Sequence, residues 1–104
     1  MIDGGNGSDI DALRAFFRSA PFMVELGIEP VQCGPGRLVT RMPIVNKHLQ
    51  HTGQVHAGVS AAMADHSMGA AAQTMAPTGF LILTAEFKTS LLRAGTGEIG
   101  RAHV

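Results

Sequence analysis

The sequence predicts an α+β fold in which a largely antiparallel sheet is wrapped around one long central helix. The helix is predicted from an Ala-rich, almost uncharged stretch at 56–76. Strands are predicted from alternating apolar and polar residues at 37–45 and 80–92, on either side of that stretch. A Gly-Pro-Gly turn at 34–36 joins the first of these runs to another apolar run before it, which indicates a hairpin.

The composition is that of one small globular domain. Of 104 residues, 45% are apolar and 15% charged, and eight basic residues balance eight acidic ones. Without a basic cluster, nucleic-acid binding has no electrostatic support, and no apolar run reaches the roughly 18 residues of a membrane helix. The lone Cys33 excludes an internal disulfide, and 1–8 lacks the pattern of a signal peptide. We therefore expect a cytoplasmic protein with a flexible segment at 1–8 and a single domain at 9–104.

The elements before the long helix follow from periodicity and from the positions of Pro and Gly. A helix is predicted at 10–20, because its apolar residues form one stripe and Pro21 follows it. A strand is predicted at 23–33, interrupted at Gly27 and Pro30. It pairs with the run at 37–45, which confines Pro30 and Pro43 to bulge or edge positions.

The elements after the long helix are strands. In the run at 80–92, Leu83 and Phe87 lie on one face while Thr84 and Lys88 lie on the other. A turn at 94–97 leads into residues 97–104, which begin a strand at which the sequence stops. We therefore expect the fold to be incomplete at its C-terminus.

Asp65 is the first candidate functional residue. It lies in the middle of the apolar helix, which contains no Lys or Arg to pair with it. A buried carboxylate is costly unless it is paired or protonated, so its presence points to a chemical role as general base or nucleophile. The alternative is that Asp65 bonds to backbone or reaches solvent.

The start of the same helix is the second candidate. The first N–H groups of a helix have no internal partner, and the small residues Ala57 and Gly58 leave them accessible. Such groups form oxyanion holes from backbone alone. Gln50, in the polar loop before the helix, can donate an amide N–H nearby. The alternatives are close packing for the small residues and a solvated position for Gln50.

A metal site is an alternative use of these residues, with His48, His51, His56, His66 and Asp65 as possible ligands. His48, His51 and His56 precede the helix, but Asp65 follows His56 by nine residues, about 900° of helical rotation, which puts the two on opposite faces. The loop also lacks the ligand spacing of zinc sites. We therefore predict no metal.

These residues together resemble the hotdog-fold acyl-CoA thioesterases of the phenylacetate-degradation type. The resemblance covers about residues 20–104. It rests on the run HLQHTGQVHAGV at 48–59, on Ala64-Asp65-His66, on Thr84-Ala85-Glu86-Phe87-Lys88 and on Leu92-Arg93-Ala94.

The resemblance implies a fold, an assembly and a reaction. Two subunits join their sheets edge to edge, dimers often pair into tetramers, and each site lies at the dimer interface. The N–H of Ala57 polarises the thioester carbonyl with help from Gln50, Asp65 of the second subunit activates water or attacks, and Thr84 holds the water. The reaction converts a small acyl- or aroyl-CoA to the free acid and CoA and needs no cofactor. His56, Gly58, Lys88 and Arg93 are the predicted substrate-binding residues.

Two departures from the family pattern leave alternatives open. Many members have Gly where this chain has Ala57, and members usually continue for two further strands. A non-catalytic CoA-ester-binding protein and a hotdog enoyl-CoA hydratase or dehydratase therefore remain as other functions. Asp65 also lies about 12 Å along the helix from Ala57. This distance predicts two half-sites, each completed by the second chain of a dimer.

Overall fold

The computed structural model describes residues 10–90 and 101–103, so segment 1–8 lies outside the described residues. Three strands form an antiparallel sheet in the order β1-β2-β3, and the longest helix packs against β2 and β3. The elements are α1 (Ile10–Arg18), α2 (Pro21–Leu26), β1 (Glu29–Gly34), β2 (Arg37–Arg41), a 3-10 turn (Asn46–His48), α3 (Ala57–Gln73) and β3 (Arg101–His103). No helix among the described residues is long and apolar enough to cross a membrane.

Helix α1 confirms the predicted amphipathic stripe. Leu13 and Phe17 are buried in the core, and Phe16 packs partly against it. The helix ends at Arg18, two residues earlier than predicted, where the Ser19 hydroxyl donates to the carbonyl of Phe16. A hydroxyl that bonds to the preceding turn satisfies one of the carbonyls that a helix end leaves open.

The prediction of a strand from residue 23 is wrong for its first part, because residues 21–26 form helix α2. Pro21 stands at the first helical position, where its fixed φ favours the helix and its missing N–H does no harm. Gly27 ends the helix with φ 83°, and its N–H donates to the carbonyls of Met23 and Val24. This left-handed C-terminal glycine stops α2 and releases the chain into β1.

The predicted hairpin is confirmed. Strands β1 and β2 pair antiparallel from Glu29 opposite Arg41 to Gly34 opposite Arg37, and Gly36 has φ 67° in the connecting turn. The register shifts between Pro30 and Gln32, so Pro30 does lie at a bulge, where its missing N–H is tolerated. β2 ends at Arg41 rather than at residue 45, so Pro43 lies beyond the strand.

Helix α3 confirms the predicted long helix, although it is shorter than residues 56–76. His56 precedes its first residue, and Thr74 follows its last. One side packs into the core, which contains Leu13, Phe17, Met23, Leu26, Ile28, Leu38, Met42, Met63, Ala70 and Ala71. Most other α3 residues are half-buried.

Two buried hydrogen bonds fix α3 on the hairpin. The hydroxyls of Thr40 and Ser67 lie 2.9 Å apart and share one bond. The Thr74 hydroxyl accepts from the N–H of Gly36 at 2.8 Å and donates to the carbonyl of Ala71 at 2.6 Å. Because buried polar groups must find partners, these bonds fix the position of the helix along the hairpin.

The strand predicted at 80–92 is wrong for its described part, since residues 80–90 belong to no strand. The alternating pattern is present, but a strand forms only where its peptide groups meet a neighbouring strand. Among the described residues, the side chain of Gln73 takes that place for Phe80 and Ile82. The predicted turn at 94–97 lies outside the described residues. Of the final strand, 101–103 is present as β3 and pairs with β2.

Candidate functional site

Asp65 presents an unsatisfied oxygen to the interior. Its Oδ1 atom is buried and has no hydrogen-bond partner among the described residues. The side chain is half-buried, in the middle of α3, which contains no Lys or Arg. A buried carboxyl oxygen without a hydrogen-bond partner in the protein is unusual and needs an explanation. The described residues thus give this oxygen neither a backbone partner nor a Lys or Arg side chain on its own helix.

Asp65 lies on the wall of two cavities between α3 and the segment 81–87. The larger has a volume of about 640 Å³ and the smaller about 330 Å³, and Asp65, Gly69, Ile82, Leu83 and Thr84 line both. The structure therefore brings Asp65 and Thr84, 19 positions apart in sequence, to the same cavity walls. Gly69, one turn after Asp65, contributes no side chain to the space.

His66, a possible metal ligand by sequence, lines the larger cavity. Its ring stacks on Phe16 at 5.8 Å between centroids and meets Phe17 edge-on at 4.6 Å. Its Nε2 atom is buried without a hydrogen-bond partner among the described residues. Burial lowers the pKa of His66 below its usual value, against the opposing effect of the Asp65 carboxylate. Since its partners come from α1, no local signal in the sequence identifies this position.

Gln73 is a residue that the sequence did not single out. It is 2% exposed, and its amide bonds to the backbone of the segment that carries Thr84. It lines the larger cavity together with Asp65 and His66. Its only sequence signal was a polar residue near the end of an apolar helix, and this is also what an ordinary helix end looks like.

The start of α3 offers one open donor rather than two. The Nδ1 atom of His56 accepts from the N–H of Gly58 at 2.8 Å, so His56 caps the helix. Gly58 permits this, because a Cβ there would lie 3.0 Å from that same nitrogen. Ala57 is exposed, and its N–H has no partner among the described residues. The expectation of two open N–H groups therefore fits Ala57 and not Gly58.

Gln50 lies in a tight loop beside the helix start. Its backbone N–H donates to Gln54, and its side-chain amide donates to the Thr52 hydroxyl at 2.9 Å. The loop is closed at its base, where the N–H of His56 donates to the carbonyl of His48 at 2.8 Å. Gln50 is therefore within the same loop system as Ala57, with its amide engaged by a neighbouring hydroxyl.

His48 has a structural role. It is buried, its Nε2–H donates to the carbonyl of Leu26 at 2.7 Å, and its Nδ1 accepts from the N–H of Val45 at 3.0 Å. These two partners assign the neutral tautomer with the proton on Nε2. Both ring nitrogens are thereby occupied, and no group of three His, Cys, Asp or Glu side chains within residues 10–90 and 101–103 is placed to hold a metal ion.

Of the two basic residues predicted to contact CoA, Lys88 lies among the described residues. Lys88 is exposed, one residue past the part of the segment that lines the cavities. Arg93 lies outside the described residues. An exposed lysine is compatible with a phosphate contact and equally with simple solvation, so the roles of both residues stay predictions.

The architecture is that of the hotdog thioesterases. A thioesterase family protein from Silicibacter pomeroyi superimposes with a TM-score of 0.82 at 30% identity, over 88% of this chain and 68% of that one. The PaaI protein of the phenylacetic acid degradation operon of E. coli gives 0.70 at 20% identity, over 80% of this chain and 58% of its own. The fold class predicted from the sequence is thus confirmed.

The family follows from a more specific match. Residues 11–103 match the family described as a domain of unknown function, DUF4442, and the chain belongs to that family. The Silicibacter protein is a thioesterase family protein, and its 30% identity to this chain shows that the two are related. A comparison with the curated proteins gives no match.

Proposed function

We propose that this protein hydrolyses a small acyl- or aroyl-CoA thioester to the free acid and CoA. The observation that carries the proposal is the buried, unpartnered oxygen of Asp65 on the wall of a cavity that Thr84 also lines. The thioesterase family relationship supports the same chemistry. A half-enclosed cavity with an apolar wall and a few polar groups suits an acyl group next to a reacting carbonyl.

Each group in the proposed site has a distinct task. The Asp65 carboxylate accepts a proton from a water molecule that the Thr84 hydroxyl helps to hold, and the hydroxide attacks the thioester carbon. The carbonyl oxygen becomes negatively charged and accepts a hydrogen bond from the N–H of Ala57, at the positive end of the α3 dipole. The C–S bond then breaks, and CoA leaves as the thiol after taking up the proton. Direct attack by Asp65 is the other route open to the same residue.

The proposed site needs two chains. Along α3, Asp65 and Ala57 are separated by about 12 Å, which is too far for both to act on one carbonyl. A symmetric dimer contains two such sites. In each of them, the start of α3 from one subunit lies beside the Asp65 carboxylate of the other. Gln50 then assists at the helix start, while His56, Gly58, Lys88 and Arg93 contact the substrate. For Gly58 this requires the His56 ring to turn away from its N–H.

The first prediction tests Asp65 directly. Asp65→Asn keeps the size of the side chain and removes its ability to accept a proton, so kcat should fall by about 10²–10⁴-fold. Release of the CoA thiol is followed with a thiol reagent over short, medium and aromatic acyl-CoAs. Asp11→Asn is the matched control, since Asp11 is an exposed acid on α1 whose contact is to Arg14, and it should keep wild-type activity.

Three results would contradict the proposal, and two of them identify another function. Equal activity of Asp65→Asn and the wild type would remove Asp65 from the reaction. Hydration of an enoyl-CoA without thiol release would identify a hydratase. Binding of an uncleavable CoA thioether, with no turnover of any thioester, would identify a CoA-ester-binding protein.

A further inference from the structure

We propose that Gln73 is a positioning residue, which holds the segment 80–84 against α3 and thereby sets where Thr84 lies relative to Asp65. The role rests on the proposed function, because it acts through the two residues assigned to the reaction. The hydrogen bonds on which the role is based do not depend on that function, and they can be tested without an activity assay.

Two hydrogen bonds from one side chain carry the inference. Nε2 of Gln73 donates to the carbonyl of Phe80 at 2.8 Å, and Oε1 accepts from the N–H of Ile82 at 2.9 Å. A glutamine amide offers the same donor and acceptor as a backbone peptide. Gln73 therefore bonds to the segment as a neighbouring strand would, and it fixes the carbonyl of one residue and the N–H two positions later.

These two hydrogen bonds, here called the tether, are the main attachment of segment 80–84 to α3 among the described residues. Gln73 is almost fully buried, and its two bonds to the segment are partly buried. The segment itself has few other anchors, since Phe80, Leu81 and Leu83 are more than half exposed, Leu83 at 81%. Apolar burial thus contributes little to holding it, and the two amide bonds are its main described attachment to α3.

The tether lies close in sequence to the residue that it positions. Thr84 follows Ile82 by only two positions, and both residues line the same two cavities. Gln73, Thr84 and Asp65 all line the larger cavity. A shift of the backbone at Ile82 would therefore move the Thr84 hydroxyl relative to the Asp65 carboxyl, and small misplacements of reacting groups are known to be costly.

The second prediction uses three variants of matched size. Gln73→Met keeps the length and loses both bonds, Gln73→Glu keeps the acceptor for Ile82 and loses the donor to Phe80, and Gln32→Met is the control on the exposed side of β1. In Gln73→Met, hydrogen exchange at the Ile82 amide should rise by about tenfold, with a smaller rise in Gln73→Glu. Exchange at Gly36, which Thr74 holds, should not change.

The kinetic readout separates positioning from loss of structure. Gln73→Met should lower kcat by about tenfold while KM changes little, because the bound substrate is retained and the reacting groups are misplaced. Gln73→Glu should recover part of kcat, and Gln32→Met should match the wild type. Unchanged exchange at Ile82 in Gln73→Met overturns the tether. A loss of activity that equals the unfolded fraction overturns the positioning role. If the wild type hydrolyses no thioester, the proposed function fails while the exchange experiment still decides whether the tether exists.

Discussion

Asp65 and His66 are consecutive residues of α3, and each has one unsatisfied polar atom. Oδ1 of Asp65 and Nε2 of His66 are both buried without partners among the described residues. Each such group costs about 1–3 kcal/mol when left without a hydrogen bond. Proteins retain such costs mainly at functional sites. The adjacency also means that the charge of Asp65 acts on the ionisation of His66, in opposition to burial.

The third prediction concerns the pH dependence of stability. Burial lowers the pKa of His66 in the folded state, so the unfolded chain binds a proton more readily. The contribution of neutral His66 is present above its unfolded pKa of about 6.5 and is lost as the pH falls through that value toward the lower folded pKa. The urea concentration at the midpoint of unfolding should therefore decrease as the pH is lowered from 7.5 to 5.5.

Replacement of His66 isolates this contribution. In His66→Gln the fall of the urea midpoint with acidification should be smaller than in the wild type, while the exposed control His51→Gln should show the wild-type fall. Identical pH dependence in His66→Gln and the wild type would rule out the explanation by burial.

A functional residue can be predicted from the sequence when its unusual feature depends only on its neighbours along the chain. Asp65 is conspicuous because its own helix has no basic residue, and Ala57 because the start of any helix exposes N–H groups. His66 and Gln73 are not conspicuous. Their environment depends on Phe16, Phe17 and the backbone at 80–82, which only the folded chain brings near them.

Thr74 joins the elements that position the site. Its hydroxyl links the end of α3 to the turn between β1 and β2, through the buried N–H of Gly36. The link lies one residue after Gln73, so it holds the end of the helix from which the segment 80–84 is tethered. An element boundary that the sequence defines only by a nearby proline is thus fixed by a tertiary hydrogen bond.

The fourth prediction measures this link. Thr74→Val keeps the shape of the side chain and leaves the Gly36 N–H buried without a partner, so the free energy of unfolding should fall by about 1–3 kcal/mol. Thr74→Ser retains the hydroxyl and should lose less. Chemical denaturation of the three proteins gives the comparison, and a Thr74→Val variant as stable as Thr74→Ser would show that the bond contributes nothing.

The elements that were predicted correctly are determined by residues inside each element, whereas the others depend on length or on neighbouring strands. Helix α1 and the hairpin follow from periodicity and turn residues inside each element, and α3 follows from its Ala-rich composition. Helix α2 was missed although Pro21 and Gly27 mark its ends, because the apolar run between them is too short for its periodicity to distinguish helix from strand. The segment 80–90 has a strand pattern, but pairing depends on neighbours that periodicity does not contain.

The assembly is tested by mixing two inactive variants. Ala57→Pro removes the proposed donor at a first helical position, where proline is tolerated. The extended backbone of His56 before it, with φ −63° and ψ 134°, also suits a following proline. Asp65→Asn removes the carboxylate instead. Each variant alone should be inactive for a different reason, since each lacks a different half of the shared site.

The fifth prediction is that these two variants restore activity to each other. After co-refolding in equal amounts, half of the dimers should contain both variants, and each of these has one intact site, which gives about a quarter of wild-type activity. Thiol release measured before and after mixing provides the comparison. A mixture as inactive as its components would contradict two half-sites on separate chains.

The bulge at Pro30 has a consequence for how the sheet can extend. Among the described strands, β1 and β3 occupy the two edges. Pro30 offers no N–H, and the shifted register beside it breaks the regular row of peptide groups on β1. An additional strand is therefore disfavoured on that side, as on other sheet edges interrupted by proline and a bulge. Of the two edges that the described strands form, the β1 edge is thus the less suited to pairing with another strand.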